Sequence, residues 1–360
     1  MARIKEFQEI MRKKKVDIFL AMNTDFSRLE YDMAYFTGYG SIGALIIPQQ
    51  QKPFLIVPRM EKERAKRSGV LVYSPPKGMR ISAYANEILK KKGVRTKKAG
   101  INKEEMTIVI RDSFRKALKA RFVDLRKDIY KLREQKTADE IKTIREGCKI
   151  SDSILEKCFR EFKNFQTEAA VKAFLEIEAK KRGCEIAFPT IVASGPNARM
   201  AHYDICDKKL MNGFCIIDYG IRYKNYCTDT TRTVYIGEPS KKEIELYNLV
   251  LSCQRKAIES SKIGAKCSKI YEGAVADLGK YGKYFTHGLG HGFGIKVHEA
   301  PDLTPKSKYT LKEYMTFTIE PGVYLDNLGI RIEDDILITD RTEILTRAKK
   351  ELVVITRGRT

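Results

Sequence analysis

The chain has few histidines and no long apolar run. Only four of its 360 residues are histidine, and all lie beyond residue 200. No stretch of about 18 consecutive apolar residues occurs, which argues against a membrane-spanning helix. The first 15 residues, MARIKEFQEIMRKKK, are charged throughout and lack the apolar core of a secretory signal. We therefore expect a cytoplasmic protein, long enough for two domains with buried cores.

The sequence also lacks paired cysteines. None of its eight cysteines forms a C-x-x-C pair, which argues against a zinc ribbon. Without a secretion signal, reduced thiols are expected, most of them packed as small core hydrophobes. The eight are Cys148, Cys158, Cys184, Cys206, Cys215, Cys227, Cys253 and Cys267.

The net charge of +22 is distributed unevenly. Residues 1–130 carry 29 lysines and arginines against 14 acidic residues, whereas the rest of the chain carries 39 against 32. The lysine clusters are short, and no aromatic residues of an RNA-binding signature interleave with them. A basic half can bind nucleic acid or acidic membranes loosely. We nevertheless expect a solvated lysine-rich surface rather than a nucleic-acid or membrane site.

Residues 1–131 are predicted to form a compact α/β domain. Helical patterns occur at 2–14, 82–92 and 110–119, and strand patterns at 17–22, 43–48, 53–58 and 98–101. Polar turn residues at 49–52 indicate that the strands on either side form a hairpin. Ser82 is the expected N-cap of the second helix.

Residues 137–357 are predicted to form a second domain, after a charged boundary at 127–140. Thr137 and Glu140 match a capping box, so the first helix is expected to begin there. Helices are predicted at 138–162, 167–182, 241–263 and 266–281, and strands at 185–192, 213–219, 231–235, 316–319 and 331–338. Helices beside mostly alternating strands predict an α+β domain with an antiparallel sheet.

Three of the four histidines lie in or next to a glycine-rich segment. His287 and His291 belong to HGLGHGFG, and His298 follows in the sequence VHE. The four glycines from 288 to 294 allow the backbone to approach a ligand closely or to adopt a positive φ. Such a segment makes a poor core strand, and we expect it to form a wall of a polar cleft.

Four acidic residues stand at the ends of apolar runs or inside them: Asp218, Asp229, Glu320 and Glu333. Buried carboxylates are costly unless they are paired or bind a metal. Four of them beside a histidine cluster favour shared cations over a purely structural network.

The chemistry of these ligands narrows the choice of metal. Four carboxylates and one imidazole, with no thiolate, favour Mn²⁺, Co²⁺, Fe²⁺ or Zn²⁺ over copper. Four negative charges are too many for one divalent ion and balance two. Two ions about 3.5–4 Å apart can bridge one water and turn it into hydroxide near neutral pH.

Together these residues resemble the pita-bread metallopeptidase family, which contains methionine aminopeptidase, aminopeptidase P and prolidase. The matching motifs are DYG from Asp218, DTTRT from Asp229, HGLGH from His287, EPG from Glu320 and GIRIED from Gly329. The segment DMAYFTGY from Asp32 resembles the N-terminal domain of the aminopeptidase P and prolidase branch. The resemblance implies a creatinase-like, ribonuclease H-like first domain and a pita-bread second domain.

The resemblance also implies how the ligands are shared between two metal ions, Mn²⁺ or Co²⁺ by preference, with Zn²⁺ or Fe²⁺ as alternatives. Asp229 and Glu333 would bridge both ions, and Asp218 would chelate one. His291 and Glu320 would hold the other, and Glu320 would also accept the proton of the attacking water.

Further residues receive implied roles around the metals. His202 and His298 would contact the substrate carbonyl and the tetrahedral oxyanion, a contribution worth a few kcal/mol. His287 would line the same wall, Arg331 would orient the acids, and Tyr324 would support the ligands.

Simpler interpretations stay open for the residues expected around the metal ligands. Arg331 could form an ordinary ion pair with Asp334 or Asp335, and Tyr324 could be a core residue. Asp334 and Asp335 have no matched ligand role and are expected around the ligands or on the surface. Glu299 is expected to be structural.

The implied activity is cleavage of the Xaa-Pro bond of short peptides by a homodimer. A bond before proline is a tertiary amide without an N–H, so a protease that reads that N–H handles it poorly. Whether the substrate is a dipeptide or a longer peptide stays open, and loops around 301–308 or a partner's first domain are expected to decide it.

Other relatives fit the sequence less well. A creatine-hydrolysing relative lacks the metal carboxylates, and methionine aminopeptidase lacks the first domain. A non-catalytic pita-bread protein that binds protein or nucleic acid remains the alternative from a different functional class, although such relatives have lost ligands that this chain keeps.

Overall fold

The computed structural model describes residues 2–204 and 208–356. The chain divides into two compact units, Met1–Leu132 and Arg133–Thr360. Within the described residues, no helix is both long and apolar enough to cross a membrane.

The first unit is built on a mixed six-stranded sheet. The helices are α1 Ala2–Lys13, α2 Tyr31–Thr37, α3 Lys62–Lys66, α4 Ile81–Lys91, α5 Ile108–Leu118 and α6 Arg126–Glu134. The strands are β1 Ile18–Asn23, β2 Gly43–Pro48, β3 Phe54–Ile56, β4 Leu71–Tyr73, β5 Lys98–Ile101 and β6 Arg121–Asp124. Their order is β4-β3-β2-β1-β5-β6, and every strand except β2 points the same way.

The elements predicted for this unit occur in the predicted order, including the β2–β3 hairpin, but α2, α3, α6, β4 and β6 were not predicted. The predicted N-cap at Ser82 is wrong. Helix α4 begins at Ile81 after Arg80, which makes no side-chain cap bond. Ser82 is buried inside the first turn, where its Oγ lies 2.8 Å from the Oγ of Ser113 on α5. The hydroxyl is satisfied by the neighbouring helix instead of by its own.

The second unit contains four helices and fourteen strands among the described residues. The helices are α7 Ala138–Glu161, α8 Glu168–Lys181, α9 Lys241–Ser260 and α10 Cys267–Asp277. The first strands are β7 Glu185–Ile186, β8 Ile191–Ser194, β9 Gly213–Tyr219, β10 Ile221–Tyr223, β11 Tyr226–Cys227, β12 Thr230–Ile236 and β13 Gly290–Gly292. The last are β14 Glu299–Leu303, β15 Thr316–Ile319, β16 Gly322–Leu325, β17 Leu328–Arg331, β18 Asp334–Ile338, β19 Thr342–Ile344 and β20 Val353–Ile355.

Two helix pairs cover two sheets in this unit. Helices α7 and α8 pack against the sheet β20-β12-β9-β8, and their shared core contains Leu155, Leu175 and Ile217. Helices α9 and α10 share a core with the sheet β14-β13-β15-β18-β19, including Phe317 and Ile336. Strand pairs are antiparallel except β12 with β20. The remaining strands form the sheet β11-β10-β7 and the hairpin β16–β17.

The predicted capping box is confirmed, since Thr137 and Glu140 exchange side-chain to backbone hydrogen bonds at the start of α7. Two predicted strands are each split in two. The run 185–192 becomes β7 and β8, and 331–338 becomes β17 and β18. The second break arises because β17 pairs with β16 whereas β18 pairs with β15 and β19.

The cysteines behave as predicted where they are described. Seven of the eight are buried thiols in the second unit, and burial raises the pKa of Cys158 and Cys227 to about 12. Cys206 lies outside the described residues.

Candidate metal centre

The alternation of side chains along strand β9 turns Asp218 towards a cavity in the second unit. On β9, Ile217 and Tyr219 are buried in the apolar core, so the side chain between them projects from the other face. Asp218 lies opposite Thr231 of β12 in the strand register. Asp229 stands directly before β12, at the same end of the ladder.

The histidine segment supplies the opposite wall. His291 is the central residue of β13, between Gly290 and Gly292. A Cβ on Gly290 would stand 1.8 Å from the carbonyl oxygen of Thr318, and one on Gly292 would stand 2.0 Å from that of Ala300. The glycines are therefore required by close neighbouring strands. None of the four glycines from 288 to 294 has a positive φ, so that expected reason was wrong, whereas close approach to a ligand stays a prediction; the segment does line a cavity.

The predicted ligands meet in this cavity. His291 Nε2 lies 3.5 Å from Asp229 Oδ2 and 3.5 Å from Glu320 Oε1. Asp229, His291 and Glu333 each bring a donor atom within 4.8 Å of the other two. Asp218 lines the same cavity, which has a volume of about 530 Å³.

These donor atoms fit bound cations better than a hydrogen-bonded network. Burial lowers the pKa of His291 to about 3, so its imidazole is neutral at physiological pH. Its Nδ1 lies 3.2 Å from the carbonyl oxygen of Gly292, which makes Nδ1 the protonated nitrogen. Nε2 therefore faces two carboxylate oxygens as an unprotonated acceptor. Separations of 3.5 Å suit ligands bound at about 2.1 Å to one ion.

Asp218 gives independent support for this fit. Its Oδ2 accepts a hydrogen bond from Arg331, but its Oδ1 is shielded from solvent and has no hydrogen-bond partner among the described residues. A buried carboxylate oxygen normally finds a partner. A divalent cation would supply one.

The carboxylates repel one another in a poorly solvated space. Burial, followed by the charges of its acidic neighbours, raises the pKa of Asp229 well above its usual value. The pKa of Glu333 is raised in the same way, first by burial and then by Glu320 and Asp218. Burial raises the pKa of Glu320 to about 8. Bound divalent ions would reverse this effect and hold the acids ionised.

Arg331 connects the ligands to a chain of polar groups. Its Nη2 donates to Asp218 Oδ2 at 2.6 Å, and its Nη1 donates to the Tyr324 hydroxyl at 2.7 Å. The same hydroxyl lies 2.9 Å from His287 Nε2. The alternative that Arg331 pairs with Asp334 or Asp335 is therefore wrong.

Asp334 is buried in a separate network on the far face of β12. It accepts hydrogen bonds from Arg232 at 2.7 Å and Lys350 at 2.6 Å. Burial alone would raise the pKa of Asp334, but these two cations hold it below its usual value. Arg232 also donates to the backbone carbonyl of Glu333, so this network fixes the chain at a ligand.

Asp335 is also fully buried, so neither acid lies on the surface. Its Oδ2 accepts the backbone N–H of Asp229 at 3.0 Å and the thiol of Cys148. Glu299 forms an ion pair with the buried Lys136 at 3.3 Å, a structural contact.

The cavity has a more varied lining than the motifs indicated. His202 and His298 line it and are exposed, and the ring of His298 lies 4.2 Å from that of His291. Phe188 and Pro189 line the wall between β7 and β8, where proline could have signalled the strand break. Further lining residues are Lys172, Thr190, Asp302 and Thr304, which lie outside the motifs found in the sequence.

Comparison with known families shows the family to which this chain belongs. The family model of metallopeptidase family M24 matches residues 142–340, and that of the creatinase/prolidase N-terminal domain matches residues 3–135. The chain belongs to metallopeptidase family M24.

Relatives extend this assignment over the whole chain. An uncharacterized peptidase of Staphylococcus epidermidis is 35% identical, over 97% of this chain and 100% of its own length. An Xaa-Pro dipeptidase of Pyrococcus horikoshii is 33% identical, over 98% of each chain. The crystal structure of an X-Pro aminopeptidase from Thermotoga maritima has a TM-score of 0.89 and 30% identity, with coverage of 97% and 100%.

These findings confirm the predicted family and the two-part architecture of a creatinase-like first domain and a pita-bread second domain. This M24 chain is a metallopeptidase, which removes the non-catalytic alternative as a description of the whole protein.

Proposed function

We propose that this M24 peptidase is a dinuclear metallo-exopeptidase that hydrolyses the Xaa-Pro bond at the N-terminus of dipeptides or short peptides. The observation that carries the proposal is the convergence of Asp218, Asp229, His291, Glu320 and Glu333 on one cavity. The named activities of its relatives supply the choice of bond.

The ligands divide naturally between two ions. We assign Asp229 and Glu333 to both, Asp218 to one, and His291 with Glu320 to the other. Mn²⁺ or Co²⁺ is proposed, since oxygen donors dominate, with Zn²⁺ or Fe²⁺ as alternatives. Such ions would supply Lewis acidity and make a water nucleophilic near neutral pH.

Side chains of the protein would accept and donate the protons of the reaction. Glu320 lies beside the ligand imidazole, and its carboxylate, held ionised by bound metal, would accept the proton of the attacking water and pass it to the leaving amine. His202 and His298 stand at the exposed side of the cavity, where a ring N–H can donate to the carbonyl oxygen as it gains charge.

His287 is proposed as a positioning residue. Burial lowers its pKa to about 4, and its Nδ1 lies 2.8 Å from the carbonyl oxygen of Gly288. Its Nε2 accepts from Tyr324, which accepts in turn from Arg331. Both ring nitrogens are thus engaged, and the chain of donors holds Asp218 in place through Arg331.

Substrate length and bond choice are tested by one hydrolysis panel. Xaa-Pro, Xaa-Pro-Yaa and matched Xaa-Ala peptides are incubated with protein reconstituted with Mn²⁺, Co²⁺ or Zn²⁺, and bound metal is measured by elemental analysis. We expect cleavage of the proline peptides, about two ions per chain, and loss of both in Asp229→Ala. Cleavage of Xaa-Ala at the same rate would overturn the proline assignment, and fewer than about one bound ion would overturn the metal assignment.

Two further proposals concern the state of the protein. We propose a homodimer with a cytoplasmic location, both from the resemblance to prolidases. Sedimentation of the metal-loaded protein at several concentrations tests the first, and fractionation of the source cells tests the second.

A further inference from the structure

The connections of the first unit place most of its positive charge along one edge of the sheet, the edge formed by strand ends rather than by an outer strand. Because β1, β3, β4, β5 and β6 point the same way, the segments that lead into them meet at one edge, together with the end of β2. We call this the basic edge, and it consists of residues 12–17, 49–53, 66–70, 90–98 and 115–121.

The two edges of the sheet differ sharply in charge. The basic edge contains 17 lysines and arginines and a single acid, Asp17. The segments at the opposite edge, 24–42, 57–61, 74–80, 102–107 and 124–125, contain five lysines and arginines and seven acids. Clusters that look short and scattered along the sequence therefore form one continuous feature in the fold.

Most of these cations are available to a partner. Lys13, Lys91, Lys97, Lys116 and Arg121 are exposed, and no carboxylate lies within ion-pair distance of them among the described residues. Arg12, Lys14, Lys66 and Arg95 do have acidic neighbours, at 3.7, 2.7, 2.6 and 3.6 Å. The edge as a whole is far from neutralised.

Two lysines occupy backbone positions that favour glycine. Lys15, after α1, has φ 54°, and Lys119, the C-cap of α5, has φ 50°. Helix α4 is followed in the same way by Gly93 with φ 64°. The left-handed conformation costs an L-residue energy that glycine does not pay. Glycine at these two positions would therefore remove a charge without straining the backbone.

The basic edge is also concave. A cavity of about 480 Å³ is lined by Arg12, Lys15 and Arg95, by the single acid Asp17, and by the glutamines 49–51, whose amides donate within the unit. Six strands about 4.8 Å apart make the edge roughly 24 Å long, or about seven nucleotide steps of a duplex. A row of cations on this scale matches a sugar-phosphate backbone.

We infer that the basic edge binds nucleic acid through its phosphates and without preference for bases. The edge segments contain no aromatic side chain for stacking, so no base reading is expected. They also contain no exposed large apolar side chain to insert into a membrane, which disfavours a lipid surface. This binding lies outside the peptidase centre and does not depend on it.

The test uses the full-length protein and labelled duplexes of about 20 base pairs, longer than the edge, in DNA and RNA forms. One variant combines K13Q, K91Q, K97Q and K116Q. The matched control, R59Q, K77Q, R80Q and K103Q, removes four exposed charges from the opposite edge. Fluorescence anisotropy gives Kd over a range of salt concentrations, and thermal unfolding followed by circular dichroism verifies that both variants are folded.

We expect salt-dependent binding of DNA, RNA or both, weakened at least about 10-fold in the edge variant and less than about 2-fold in the control. The slope of log Kd against log salt should fall by about 2 to 4 in the edge variant only. Equal losses in both variants, or tighter binding to anionic phosphatidylserine vesicles than to nucleic acid, would overturn the inference.

A second variant keeps the inference testable if the first is unstable. K15G and K119G together should leave Tm unchanged or raise it, because glycine suits both backbone positions, while weakening nucleic-acid binding. A lower Tm with unchanged binding would show that these lysines serve the fold alone.

Discussion

Once divalent cations have been removed, the free energy of unfolding of the second unit should fall as the pH rises from about 7 to about 8. Burial raises the pKa of Glu320 from 4.5 to about 8 in the folded chain. The folded state therefore binds more protons than the unfolded state, and the resulting stability is lost as the pH rises through the folded value. For Glu320 alone, this loss is about 1 kcal/mol between pH 7 and pH 8.

The histidines change the stability with pH in the opposite direction, but they do so at lower pH. Burial lowers the pKa of His287 to about 4 and that of His291 to about 3, so their contribution grows with pH. It is nearly complete above about pH 7, because an unfolded histidine titrates near 6.5. The interval from pH 7 to 8 therefore excludes the histidines. The buried cysteines add a second decline, because their thiols titrate at about 8.5 when unfolded but have raised pKa values in the folded chain, and this decline is shared by the Glu320→Gln control.

The assay is urea unfolding of chelated protein, followed by far-UV circular dichroism at several pH values. Apo Glu320→Gln serves as the control, and its loss between pH 7 and 8 should be smaller by about 1 kcal/mol. Reconstitution with Mn²⁺ should remove the part of the decline that comes from the carboxylates, since a cation holds the acids ionised. Stability of the wild-type apoprotein that stays level or increases over this interval would refute the reasoning.

Three other changes test particular contacts. Glu333→Ala should lose bound metal by elemental analysis and lose peptidase activity, with an unchanged circular dichroism spectrum; full activity would contradict the shared-ligand assignment. Arg232→Met should cost about 3–5 kcal/mol in urea unfolding, because it leaves buried Asp334 short of its main cation; a loss below about 1 kcal/mol would contradict this. Tyr324→Phe should lower kcat about 10-fold or more with little change in KM and should shift the pH profile, because His287 loses its donor; a change in KM alone would indicate substrate contact instead.

The sequence singled out the proposed ligands, which the structure brings to one cavity, because their positions are marked by a local conflict. Asp218 and Glu320 each follow a run of apolar residues, where an unpaired carboxylate would be costly. The same alternation that buries Ile217 turns Asp218 towards the cavity. Such conflicts can be read without knowledge of tertiary contacts.

The partners of buried charges could not be predicted in this way. Arg331 had acids two, three and four residues away in sequence, yet it pairs with Asp218, 113 residues earlier. Asp334 is instead paired with Arg232 and Lys350. Pairing depends on which face of which strand each residue occupies, and the break between β17 and β18 changes that face.

Backbone packing was equally hidden in the sequence. Gly290 and Gly292 suggested ligand access, but their true constraint is the nearness of carbonyl oxygens on neighbouring strands. Ser82 was a good local N-cap candidate, but the hydroxyl of Ser113 on another helix competes for it. In both cases a tertiary neighbour, absent from the local pattern, decides the role.

The burial of the described cysteines gives the second unit a natural reporter of its own opening. The thiolate is the reactive form, and burial both blocks access and raises the pKa of thiols such as Cys253 and Cys267 to about 12. With Cys206 replaced by serine, the rate at which an alkylating reagent consumes the remaining thiols would measure how often the second unit opens. The first unit contains no cysteine, so it contributes nothing to this signal.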